Sequence, residues 1–131
     1  MHYIVRALRA YRIGENMSEK NIRDLAIELT IGLTEICDTI KCRSIFVNQL
    51  LRACSSIGAN VSEAKYAQSR PDFINKMEIA LKECYETEYW LEILRKINAI
   101  DEEQYSEYKN KNGTIRYKLI ASITTAKASL L

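Results

Sequence analysis

The chain has 131 residues, 47% of them apolar and 27% charged, with a net charge of +2 at pH 7. That length supports a single domain whose core stands without metals or disulfides. The balanced composition excludes disordered and collagenous chains, and no apolar run approaches the ~18 residues that a membrane-spanning helix needs. One proline and four glycines leave little material for turns, which favours a few long helices over many strands.

Residues 1–14, MHYIVRALRAYRIG, carry Arg6, Arg9 and Arg12 and no acid. Ile4, Leu8 and Tyr11 fall together on a helical wheel, opposite the arginines. Such a basic amphipathic segment suits an RNA or an anionic surface. The favoured alternative is a frayed or crystal-packed tail reflecting an upstream start codon, and the segment lacks the apolar centre of a secretory signal. The bundle domain is assigned to residues 15–131, with helices expected at about 19–42, 45–66, 70–97 and 102–128.

The first of these helices is expected to start after Ser18, with Glu19 in its opening turn. Ile22, Leu25, Ala26, Leu29, Leu33, Ile36 and Ile40 form its core stripe. Lys41 and Arg43 are placed at its C-terminal end, where cations complement the helix dipole. The second helix repeats apolar residues at Phe46, Leu50, Ala53, Ile57, Val61 and Ala64, one face of a 3.6-residue period. Gly58 sits inside it at a cost of about 1 kcal/mol relative to Ala, so a neighbouring backbone is expected to pass close by. Asn60 and Glu63 lie near the stripe, one turn apart, either as a polar pair bracing neighbouring helices or as a ligand or RNA contact.

A short turn, Ala67 to Pro71, follows. Ser69 is a good N-cap, Pro71 suits the first helical turn, and Asp72 takes the usual Glu place of a capping box. The third helix carries Phe73, Met77, Ala80, Cys84, Leu91 and Leu94, flanked by Ile74, Leu81, Tyr85 and Tyr89. That apolar surface is wider than one bundle core needs and points to self-association. The second and third helices form the expected central antiparallel pair.

The last helix opens near Asp101, with Glu102 and Glu103 giving an acidic first turn. Its stripe runs Tyr105, Tyr108, Asn112, Ile115, Leu119, Ile123, Ala126 and Leu130. Asn112 on the core face, followed by Gly113, predicts a bend or break there; a polar residue so placed fixes register at a cost in stability.

Charge is unevenly spread. Subtracting the +3 of residues 1–14 from the +2 of the whole chain leaves −1 for residues 15–131. Residues 71–103 carry nine acids against four bases, whereas residues 104–131 carry one acid against five bases and residues 44–70 one against three. Either the helices complement one another's charge, or a basic face built from Arg52, Lys109, Lys111, Arg116 and Lys118 binds nucleic acid, each neutralised phosphate adding salt-dependent affinity.

The residues Ser56, Ile57, Asn60, Glu63 and Ala64, then Asp72 and Phe73, then Ile79, Ala80, Glu86, Thr87, Tyr89, Trp90 and Leu91 give this chain a family resemblance. The pattern, dense over residues 44–94 and looser over 15–43 and 100–128, resembles the four helix bundle protein family. Its founding members are encoded by intervening sequences within bacterial 23S ribosomal RNA genes. The family is in turn similar to the accessory protein of diversity-generating retroelements, which partners a reverse transcriptase and binds nucleic acid. The resemblance implies an all-α, antiparallel up-down-up-down four-helix bundle, a ring-like homopentamer and no established catalytic activity. It makes Ser56, Asn60, Glu63, Asp72 and Phe73 the family-motif residues of structural importance.

Catalytic material is sparse. His2 is the single histidine, and neither a Gly-rich phosphate loop nor an HExxH motif is present. Glu83, Glu86, Glu88 and Glu92 occupy several faces of one helix, without the Glu-x-x-His motifs of di-iron bundles. Four cysteines spread singly, without zinc spacing, read as small hydrophobes in a reducing cytoplasm. No cofactor, no metal and no membrane association are expected. The expected function is a non-enzymatic oligomeric scaffold contacting RNA or another nucleic acid through repeated basic surfaces. The alternative is a protein-partner adaptor, for example for a reverse transcriptase.

Overall fold

A computed structural model describes residues 20–130, as four helices: α1 (Ile22–Cys37), α2 (Ser44–Ala64), α3 (Arg70–Lys96) and α4 (Glu102–Ala128). Each helix packs on its neighbours in sequence, and α4 closes back on α1, with no close backbone approach between the diagonal pairs. This is the antiparallel up-down-up-down bundle, with packing most extensive between α2 and α3 and least between α1 and α4. The basic segment 1–14, Ser18 and Glu19 lie outside the described residues.

The helix ends follow from local chemistry. Asn21 caps α1, its Oδ1 accepting the Asp24 N–H at 2.8 Å, so the described helix begins at Ile22. It ends at Cys37, earlier than the apolar period suggests, because the Thr39 hydroxyl takes the Ile36 carbonyl at 2.7 Å and the chain leaves by short-range turns. Ile40 still packs on the core, but from the connection. Lys41 and Arg43 therefore do not complement the α1 dipole; Arg43 is instead the N-cap residue of α2.

Ser69 caps α3 as expected, accepting the Asp72 N–H at 3.2 Å. The shorter Asp72 side chain reaches the Gln68 N–H rather than completing the box on Ser69. α3 ends with Asn98 at φ 60°, in a Schellman arrangement: Asn98 N–H donates to the Arg95 carbonyl and Ala99 N–H to Leu94. A full capping box, Asp101 with Gln104, starts α4.

The core is one cluster drawn from all four helices, with Leu29, Leu33, Leu50, Ile57, Leu91, Leu94, Ile115 and Leu119 fully enclosed. Gly58 does mark a close approach, for a Cβ there would meet the Ala26 Cβ of α1 at 3.3 Å. Gly32 marks a second, beneath the Tyr108 ring, whose atoms would lie 2.9 Å from an added Cβ. On α3 the flanking set divides: Ile74 turns into the core and Leu81 is half-buried, while Tyr85 and Tyr89 stay 52% and 54% exposed.

α4 neither bends nor breaks at Asn112. The buried Asn112 Nδ2 donates to the Cys84 carbonyl of α3 at 2.8 Å, tying the two helices in one register, and the helix runs on through Gly113. A Cβ at Gly113 would meet nothing nearer than an Arg116 nitrogen at 3.7 Å. Gly113→Ala should therefore raise stability by about 0.5–1 kcal/mol, by helix propensity alone. Leu119→Ala should cost about 2–5 kcal/mol. Leu130, which the periodicity includes in the same stripe but which is 53% exposed, should change stability by no more than about 0.5 kcal/mol when cut to Ala. Urea denaturation of the three variants measures all of these.

Candidate nucleic-acid interface

The five cations expected to form a basic face are divided among different surfaces. Arg52, on α2, points to α3 and pairs with Glu83 at 3.5 Å and with Glu86. Lys109 and Arg116, two turns apart on α4, converge on Glu88 of α3 at 3.8 and 2.5 Å. Lys111 and Lys118 line the opposite flank of α4, toward α1. Lys111 pairs with Glu107 at 3.0 Å, and Lys118 donates to the Lys20 carbonyl at 3.3 Å. Further cross-helix pairs join Lys76 to Glu63 at 2.8 Å and Lys127 to Glu78 at 2.6 Å. The acidic α3 thus neutralises much of the charge of its two basic neighbours.

The family-motif residues do local work. The Ser56 hydroxyl donates to the Arg52 carbonyl and Asn60 Nδ2 to the Ser56 carbonyl, both at 2.8 Å and both inside α2. Among the described residues Asn60 makes no side-chain hydrogen bond to a neighbouring helix; Glu63 alone of that pair reaches across, to Lys76. Asp72 orders the turn before α3, and Phe73 packs half-buried at the margin of the core.

The acids of α3 are engaged rather than clustered, and among the described residues no three His, Cys, Asp or Glu side chains come together to hold a metal. Cys37, Cys54 and Cys84 are buried free thiols. Burial pushes Cys37 and Cys84 up to about 12 and Cys54 to about 11, so they stay protonated and unreactive at neutral pH.

A further group of cations gathers away from the acids of α3. Where α1 begins and α2 ends, a cleft of about 800 Å³ is lined by Asn21, Ile22, Arg23, Val61, Ser62, Lys65, Tyr66 and Lys118. Three cations from three helix regions line it, and no carboxylate stands among its described lining residues. Arg23 Nε donates to the Ser62 hydroxyl at 3.2 Å and its guanidinium stands 3.9 Å from Asp24. Lys65 occupies the C-cap of α2, where a cation also complements the helix dipole. Arg70 opens α3 at the same end of the bundle. Of these residues only Lys118 stands out in the sequence as a site candidate. Arg23, Lys65 and Tyr66 are assembled by the tertiary fold, and the acid-free run from Lys65 to Arg70 is their one local signal.

The geometry defines an all-α four-helix bundle whose α3 acids pair with cations of α2 and α4. A family model described as 23S rRNA-intervening sequence protein matches residues 18–121, and the chain belongs to that family. It is similar to a crystal structure from Bacteroides thetaiotaomicron, of a protein of unknown function from the S23 ribosomal protein family. The two share 40% identity over 79% of this chain and 95% of that one, with a TM-score of 0.75. No curated protein matches the chain. No helix among the described residues is long and apolar enough to cross a membrane.

Trp90 reports on the α2–α3 ion pairs, since its Nε1 donates to Glu86 at 3.2 Å. The Arg52 guanidinium, with the indole second, holds Glu86 below the usual carboxylate range. A depressed carboxylate stabilises the fold above its unfolded pKa of about 4.3 and loses that contribution as pH falls through the folded value. Acidification below about pH 4.3 should therefore shift Trp90 emission, and Glu86→Gln should abolish that shift. A shift that persists in the Gln variant would assign the transition to other carboxylates.

Proposed function

We propose that the protein is a non-enzymatic binding protein that engages RNA through the cationic cleft at the α1–α2 end, and that self-association repeats this surface. The observation that carries the reading is the convergence of Arg23, Lys65 and Lys118 on one concavity without an acid among its described lining residues. Phosphate contacts supply sequence-independent affinity, and three cations give a modest affinity per copy that repetition multiplies. Exposed aromatic and aliphatic side chains outside the core, Tyr85 and Tyr89 on α3 and Tyr117 and Ile120 on α4, supply apolar area for association. The ring of five copies implied by the family resemblance is the assembly proposed.

A second reading is favoured by those same tyrosines: a protein-partner adaptor, for example for a reverse transcriptase, that uses the apolar faces and binds no nucleic acid. The two separate cleanly. RNA binding by the purified protein should weaken with salt, and Lys65→Glu/Lys118→Glu should reduce the slope of log K against log salt by about 1.4 per copy while light scattering reports an unchanged particle mass. Binding that is absent at low salt, or indifferent to the double substitution, overturns the cleft reading and leaves the adaptor.

A further inference from the structure

We infer that the cleft takes single-stranded RNA, with one base stacked on the Tyr66 ring and the flanking phosphates on Arg23, Lys65 and Lys118. The inference rests on the cleft reading above and narrows it to a ligand class. Tyr66 is 79% exposed, the highest value among the exposed large apolar side chains. Its side chain has no hydrogen-bond or ring partner among the described residues. The backbone beneath it is nevertheless fixed, for Tyr66 N–H donates to the Glu63 carbonyl at 3.0 Å and Ala67 N–H to Ala64 at 3.1 Å. An aromatic ring is thus held out at the mouth of a cationic cleft, on a short turn, with none of the described residues covering it.

A stacking platform beside a few cations is the pairing that single strands use: every unpaired base offers a π-face, and aromatic stacking contributes about 1–3 kcal/mol per base. A duplex offers no free base face and demands a longer cationic track along its backbone. This bundle lacks that track where Arg52, Lys109, Arg116 and Lys127 are already paired with Glu83, Glu86, Glu88 and Glu78. The small cationic footprint fits about three phosphates, for which a single strand gives a salt slope near −2 per copy. An acidic peptide would satisfy the cations but leave the ring without a partner.

The test measures affinity of the full chain for a short oligouridylate, a blunt RNA duplex and oligoglutamate. Tyr66→Leu should weaken oligouridylate binding by about 5- to 100-fold with an unchanged salt slope, and Tyr66→Phe should retain it. The duplex should bind more weakly and ignore Tyr66→Leu. Because the side chain is exposed, thermal melts of both variants should match the parent. If Tyr66→Leu binds oligouridylate normally, or the duplex binds equally well, the single-strand inference fails. The cleft reading then survives provided Lys65→Glu/Lys118→Glu still lowers the salt slope. Oligoglutamate competing as well as oligouridylate would assign the cleft to acidic protein segments, and no binding of any RNA would remove both readings.

Discussion

The surface chemistry of this bundle depends on the charge of α3. Its carboxylates lie between two basic helices and meet them from both sides, Arg52 on the α2 flank and Lys109 and Arg116 on the α4 flank. Pairs this exposed contribute little to stability, commonly about 0–1 kcal/mol each. Their consequence is the shape of the potential. Cations beside partner carboxylates present a muted field to solvent, and a polyanion must displace those acids to reach them. Away from α3, the cleft where α1 starts and α2 stops is lined by Arg23, Lys65 and Lys118, with no carboxylate among its described lining residues.

Stability comes from elsewhere. The core draws leucines and isoleucines from all four helices, and small residues set how closely the helices approach. Gly58 admits Ala26 between α1 and α2, while Gly32 admits the Tyr108 ring at the α1–α4 seam. The one buried amide of α4, Asn112, spans to the Cys84 carbonyl and fixes how α3 and α4 slide past one another. A polar group enclosed in a core carries a cost unless bonded, and this bond satisfies the amide nitrogen side only, since the Oδ1 is buried without a partner among the described residues. Helices set in register in this way bring Glu88 between Lys109 and Arg116, so the interior amide also decides the exterior pairing.

The helices were legible because their periodicity is strong. The stripe from Tyr108 to Ala126 is buried residue for residue, and Ser69 and Asp101 cap the helices they were expected to start. The end of α1 was not, because Ile40 continues the apolar period while the Thr39 hydroxyl and the turn at Asp38 end the helix. Asn112–Gly113 suggested a break through propensity, which a tertiary hydrogen bond and packing override. The site was legible only in part. Charge counts along the chain revealed that α3 is acidic between basic neighbours, but not which cations it neutralises. Arg23, Lys65 and Lys118 lie far apart in sequence, and only the closure of α4 onto α1 brings them to one cleft.

The most direct test of the central claim, that intramolecular pairing leaves one end of the bundle as the anion-accepting surface, is a residue-resolved footprint of bound RNA by amide chemical shifts. The account predicts perturbations confined to residues 21–23, 62–66 and the turn around Lys118. Perturbations centred on Arg52, Lys109 and Arg116, with the cleft silent, would contradict it: the ion pairs of α3 would then be opening to the ligand, and the exposed flanks, not the cleft, would be the binding surface.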